Sequence, residues 1–219
     1  IDFSWNTNFN ISFNKSKVLE LKYKPFIDKA SIPSAGNLVR FAAGQPISSF
    51  FGYKYGGVDS ATGEIIYKDL DGDGKFNAGD RTFIGDPNPD YTFGFTNNFT
   101  YKNWYMDVLV TASQGNDIYN ASRFELEMMD DHKNQSTRVL DRWMNPGDIT
   151  NVPKANAANA KISSDRFIED GSFVKLKSVT LGYNFIKPIK GISKLNVYVT
   201  GQNLYTWTNY SGFDPEVNA

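Results

Sequence analysis

The sequence predicts an all-β chain whose antiparallel strands form a segment of a transmembrane β-barrel with long extracellular loops. Three observations point there. Apolar and polar residues alternate over stretches as long as Ile1–Asn14, and period two sets successive side chains on opposite faces of a sheet. The connections between these stretches run short, long, short, long. No apolar run reaches the ~18 residues of a membrane-crossing helix, while 15% aromatic residues amid many Asn and Thr suit strands with one apolar and one wetted face.

In the first stretch Ile1, Phe3, Trp5, Phe9, Ile11 and Phe13 share one face, and Asp2, Ser4, Asn6, Asn8, Asn10, Ser12 and Asn14 share the other. It exceeds the usual strand of about 5–6 residues and reaches the roughly 9–11 that a tilted strand needs to cross a bilayer. Asn14-Lys15-Ser16-Lys17 reads as a tight turn into a return strand, Val18–Tyr23. From about 26 to 90, Gly, Pro, Ser and Asp break the pattern, leaving short strand-like runs at Leu38–Ala42 and Ile65–Tyr67. A second long pair follows. Tyr91, Phe93, Phe95, Phe99 and Tyr101 oppose Thr92, Gly94, Thr96, Asn98, Thr100 and Lys102; after a turn at Lys102-Asn103 the apolar face passes to Trp104, Met106, Val108, Val110 and Ala112. Another excursion, Ser113–Gly171, carries two short helical patterns, Ala121–Asp131 and about Ser136–Met144. A third pair, Ser172–Phe185 and Leu195–Gln202, is joined through Lys187-Pro188-Ile189-Lys190-Gly191.

Short turns near residues 15, 103 and 189 therefore fall at one end of the sheet, and the long loops, about 26–90 and 114–171, at the other. Bacterial outer-membrane barrels segregate their loops this way. Trp5, Trp104, Tyr105, Tyr183 and Tyr198, near strand ends, suit interfacial girdles. Asn6, Asn8 and Asn10 with Thr96, Asn98 and Thr100 would line a lumen. The alternative left by patterning is a soluble sandwich with an aromatic core. Six strands fall short of the roughly eight of the smallest common barrels, and lipid does not tolerate an open edge. With a first residue that is not Met and a last segment that stops after a turn, the chain reads as a piece of a longer protein.

Composition removes several function classes. A formal net charge of −1 offers no basic face for nucleic acid. The absence of cysteine excludes disulfide scaffolds and thiolate chemistry, and a single histidine, His132, excludes multi-histidine zinc sites. The acid pairs Glu125/Glu127 and Asp130/Asp131 suggest a glycosidase only if they face a cleft, and otherwise read as solvated loop. Trp143, beside Arg142 and Asn145-Pro146, reads as a loop anchor or a sugar platform.

The sharpest motif is Asp69-Leu70-Asp71-Gly72-Asp73-Gly74-Lys75-Phe76-Asn77-Ala78-Gly79-Asp80, with the D-x-D-x-D-G spacing of a calcium loop. Carboxylates at Asp69, Asp71 and Asp73 converge if Gly74 takes the sharp turn; Lys75 would offer its carbonyl, Asn77 would act through water and Asp80 would close the site on Ca2+. Asp80 replaces the usual Glu and no flanking helices are expected, so the ion's role would be structural. The competing reading is an Asp/Gly turn that binds nothing.

Several stretches, in order, resemble a known family: Gly44-Gln45-Pro46-Ile47, Phe50-Phe51-Gly52-Tyr53, Ile66-Tyr67-Lys68-Asp69 with its Asp-rich loop, Ile84-Gly85-Asp86-Pro87-Asn88-Pro89-Asp90-Tyr91, Glu169-Asp170-Gly171-Ser172-Phe173, Gly201-Gln202-Asn203-Leu204 and Ser211-Gly212-Phe213-Asp214-Pro215-Glu216. The chain is similar, nearly throughout from Gly44, to the C-terminal barrel portion of SusC/RagA TonB-dependent outer-membrane transporters. The resemblance implies part of a 22-stranded barrel in the cell outer membrane, lacking its plug domain and last strand. It implies a SusD-like surface lipoprotein as lid, TonB acting through the plug, import of glycans, oligosaccharides or peptides, and no enzymatic step. The rival readings are a secreted, calcium-stabilised β-domain that binds polysaccharide and a glycan-cleaving β enzyme.

Overall fold

The computed structural model describes residues 2–32, 36–156 and 162–216. In chain order the strands are β1 (Phe3–Phe13), β2 (Phe26–Ile32), β3 (Gly36–Ala42), β4 (Ser49–Gly52), β5 (Tyr55–Val58), β6 (Ile65–Tyr67) and β7 (Thr82–Gly85). Then come β8 (Tyr91–Tyr101), β9 (Trp104–Gln114), β10 (Asp117–Tyr119), helix α1 (Ala121–Glu127), β11 (Ile168–Asp170), β12 (Phe173–Ile189) and β13 (Ile192–Thr208). The long strands form one antiparallel sheet in the order β1-β8-β9-β12-β13.

Register produces the two faces. Trp5 lies opposite Phe99, Phe9 opposite Phe95 and Phe13 opposite Tyr91, while Asn6 meets Asn98 and Asn8 meets Thr96. The apolar face continues through Met106, Val108 and Val110 of β9, Leu176, Val179 and Leu181 of β12, and Val197, Val199 and Trp207 of β13. Its polar exceptions include the pair Thr7 and Asn97; Asn97 is buried and accepts a hydrogen bond from the Trp5 indole at 3.0 Å. That bond satisfies an amide that an apolar setting would otherwise penalise.

The predicted return strand Val18–Tyr23 does not form; the sheet has five long strands in place of six. β1 pairs instead with β8, through eleven residues and cross-strand rings 5.9 Å apart at Trp5–Phe99 and 5.8 Å at Phe13–Tyr91. Such pairs each add roughly 0.2–1 kcal/mol, and a six-residue competitor with two exposed apolar side chains, Leu19 and Tyr23, offers fewer. Val18 is tied to the Ala42–Gln45 turn, with Val18 N donating to Gln45 O at 2.9 Å and Gly44 N to Val18 O at 2.8 Å. The first excursion thus starts at residue 14, and the segregation of loops survives: β1–β8 and β9–β12 are joined at one end by long segments, β8–β9 and β12–β13 at the other by tight turns.

β12 and β13 run 17 residues each, longer than predicted, because two irregularities absorb their turn residues. Lys187 takes φ 47° where the register slips between Ile186 and Ile189, which lets Pro188 sit in a strand without breaking a ladder bond. Asn203 takes φ 51° at the Leu176/Ser178 slip, a left-handed conformation that Asn tolerates better than most residues. The same register corrects the girdle. Trp5, Trp104 and Tyr183 lie on the apolar face, but Tyr105 stands opposite Gly182, and Gly182 opposite Tyr198, so both tyrosines face the polar side. A Cβ on Gly182 would fall 2.2 Å from the Tyr105 ring, so the missing side chain makes room for that ring.

The two long excursions form one cap at the long-loop end of the sheet. Leu38, Phe50 and Ile84 from the first pack with Tyr119, Phe124, Met128 and Phe167 from the second in a single core. Backbone bonds also cross between them: Tyr53 N to Ser163 O at 3.0 Å and Asp117 N to Asp86 O at 2.7 Å. Arg40 is held between the Phe26 and Phe51 rings, 3.6 Å from each centroid, and bonds Asp28 through two nitrogens at 2.6 and 2.9 Å. The helical patterns shorten to α1 and a 3-10 turn, Thr137–Asp141; Met129 at φ 52° reverses the chain soon after α1.

Candidate functional site

The Asp-rich loop lies between β6 and β7. Gly72 and Gly74 take φ 76° and 77°, which only glycine adopts freely. These turns bring the carboxylates of Asp69, Asp71 and Asp73 within 4.8 Å of one another. Backbone amides hold them: Gly72 N and Gly74 N donate to Asp69 at 2.7 and 2.8 Å, Asp73 N to Asp71 at 3.2 Å, and Lys75 N to Asp73 at 2.7 Å.

The other three predicted residues divide. The Lys75 carbonyl faces inward enough to accept from the Asn77 amide at 3.5 Å, and that amide also donates to Asp73 at 2.9 Å. Asp80 is not in the carboxylate triad. It is fully buried and accepts from Leu70 N at 2.8 Å and Asn77 N at 2.9 Å, while Asn77 caps the short turn Ala78–Asp80 in return. The backbone bonds from Asn77 and Leu70 hold the Asp80 carboxyl below the usual carboxylate range. Three converging carboxylates and a nearby carbonyl form an all-oxygen, hard donor set, which fits Ca2+ and not a soft metal. Phe76, in the same loop, stacks on Tyr67 at 4.8 Å and lies 4.6 Å from Tyr53, so the loop's conformation is coupled to the cap.

The acid pairs do not make a cleft. Glu127 is buried and bonded to Arg123 at 2.8 Å, and Glu125 approaches Lys133 at 3.5 Å. His132 is exposed. Trp143 anchors its loop, donating from the indole to Ser60 O at 2.9 Å.

No family model matches the chain. It is similar over 99% of its length to TonB-dependent receptor P3 of Formosa agariphila, at 37% identity, covering 24% of that protein. Its fold is similar to that of the RagAB peptide transporter, with a TM-score of 0.82 at 24% identity over 99% of this chain and 25% of that one. The sequence likeness sets the chain among the SusC/RagA TonB-dependent receptors. TonB-dependent receptor SusC of Bacteroides thetaiotaomicron is 27% identical over the whole chain, which covers 22% of it. The chain thus spans about a quarter of the length of the relatives it matches.

Within this SusC/RagA segment, two of the stretches that carry the resemblance meet where β11 and the start of β12 face the strap 209–216 that follows β13. Glu169 accepts from Ser211 N and Ser211 Oγ, both at 2.8 Å. Lys175, buried on the polar face of β12, donates to both Asp214 oxygens at 2.8 and 2.7 Å and to Glu216 at 2.6 Å; Lys177 also reaches Glu216 at 2.6 Å. Sequence reading recognised Ser211, Asp214 and Glu216 as motif without foreseeing these partners. The available signal was the pairing of two lysines at 175 and 177 with two acids at 214 and 216.

Proposed function

We propose that the chain is a stretch of barrel wall and extracellular cap in an outer-membrane TonB-dependent importer. A SusD-like surface lipoprotein would close the mouth, TonB would act through a plug elsewhere in the parent protein, and the cargo would be a glycan, oligosaccharide or peptide. The observation that carries this reading is the sheet with one continuous apolar face and one Asn/Thr face, capped at a single end. The apolar face would meet lipid, and the polar face, including Tyr105 and Tyr198, would line the path of a hydrated solute. The mechanism is binding and gated passage. The Asp loop, holding Ca2+ through Asp69, Asp71, Asp73 and the Lys75 carbonyl, would stiffen the cap where Phe76 packs on Tyr67.

The test uses the four tryptophans. In the parent receptor reconstituted with brominated lipids, single-tryptophan variants retaining Trp5, Trp104 or Trp207 should be quenched strongly, and one retaining Trp143 should not. Equal quenching of all four, or of none, would rule out a membrane-facing sheet.

A further inference from the structure

A cavity of about 240 Å³ opens between α1, the Ser136–Arg138 turn and the strap, lined by Ser122, Arg123, Leu126, Glu127, Arg138 and Phe213 among others. Its charges do not balance. Glu127 is shared by Arg123 at 2.8 Å, Arg166 at 3.6 Å and Arg138 at 3.9 Å, and Glu169 is engaged by Arg123 at 3.2 Å. The lining itself sets two guanidinium groups, Arg123 and Arg138, against one carboxylate, Glu127. Buried Arg166, 3.6 Å from Glu127, has two nitrogens with no hydrogen-bond partner among the described residues. Arg138 is left half exposed at the cavity, with one distant carboxylate contact among the described residues. Beside it stand two apolar groups, Leu126 and the fully exposed Phe213. Phe213 sits on a strap whose backbone is pinned on one side by Glu169 at Ser211 and on the other by Lys175 at Asp214.

We propose that this cavity binds a carboxylate-bearing terminus of the cargo, with Arg138 taking the carboxylate and Leu126 and Phe213 covering the adjoining apolar or ring surface. A guanidinium presents its N–H groups as a planar fork that matches a carboxylate. The volume lies just below the roughly 300–1,000 Å³ of drug-sized sites, which suits one terminal residue or one sugar ring. The inference rests on the importer reading, since it supplies that importer with a cargo subsite.

The experiment is calorimetry on the purified full-length receptor in detergent. The probes are N-acetylphenylalanine against its amide, for a peptide terminus, and galacturonic acid against galactose, for an acidic sugar. One acid should bind at least about tenfold more tightly than its neutral counterpart, the discrimination expected of one hydrogen-bonded charge. R138Q should erase that preference and R138K should restore part of it. Preference in the first pair identifies a peptide terminus, and preference in the second an acidic sugar. Equal affinity within both pairs, or an acid preference that survives R138Q, overturns the proposal. Because binding is read without transport, such a failure leaves the importer reading intact, whereas loss of the tryptophan quenching pattern would sink that reading without touching the calorimetry.

Discussion

Asp69, Asp71 and Asp73 are the residues whose chemistry was most legible in the sequence, because a loop of this spacing with glycine after the third acid has few ways to fold. Asp80 was legible only as the twelfth position. Its actual work, accepting two backbone amides in a buried site, follows from where the loop closes. The prediction at this scale is cation dependence at Lys75. In the parent receptor, calcium should slow tryptic cleavage after Lys75, by up to about 100-fold at a free concentration 100 times the dissociation constant. Asp71→Asn should remove that protection while leaving cleavage in chelator unchanged. Mass spectrometry of the digest reads it, and an identical rate with calcium and with chelator would leave the loop as a turn that binds nothing.

At the level of elements, β8 was found with its start at Tyr91 and β9 with its start at Trp104, though β9 runs two residues past Ala112 to Gln114, because long alternation leaves one register in which the apolar positions share a face. Val18–Tyr23 was misread for the same reason in reverse: a short alternating run is compatible with a strand, but only partners decide. β1 had a better partner 78 residues further on, where Phe13 meets Tyr91. The strap is an element that no periodicity marks. Its hold on β12 is an ion cluster with Lys175 wholly buried, and Lys175→Met should free 209–216. Removing one partner of a buried pair costs about 3–5 kcal/mol. Asp214 and Glu216 keep about a third of their side-chain surface in solvent, so the expected loss is nearer about 2 kcal/mol. Hydrogen exchange at Ser211–Glu216 in the full receptor should rise accordingly, by roughly 30-fold. Unchanged exchange would mean that Glu169 and Ser211 hold the strap alone.

For the whole molecule, the cap is a small α+β unit built from both excursions and stitched by charge. Arg40 holds the Asp28 carboxyl below its usual range. Burial pushes Glu169 upward, but bonds from Ser211 and Arg123 outweigh it and leave it below its usual range too. A carboxyl whose folded pKa is depressed contributes stability above its unfolded value, and that contribution is lost as pH falls through the folded one. The cap should therefore loosen as pH drops below about 4.5, the ordinary glutamate value. Asp117 works in the other direction: burial raises its pKa, so its protonation on acidification relieves a cost and blunts the loss. Fluorescence of Trp143, read in a variant lacking the other tryptophans, should report the loosening between pH 5 and pH 3. Glu169→Gln, which copies the protonated side chain, should weaken the cap at neutral pH and shift its midpoint to higher pH, and an unshifted midpoint would exclude Glu169 as a contributor. A 219-residue chain with one whole apolar face and two sheet edges should also require detergent to stay monomeric; size exclusion with and without detergent checks this.

The sequence by itself determined the long strands, their two faces and the end at which the long loops gather, because period two and turn residues are local properties written along the chain. It also determined the converging acids of the Asp loop, which lie within five residues of one another. Only the tertiary structure decided that β1 pairs with β8 and that both excursions share one core. It alone joined Glu169, Lys175 and Lys177 to a strap some forty residues away. Those outcomes depend on which distant surfaces bury one another best, and that competition is settled among whole elements, beyond the reach of any single stretch of sequence.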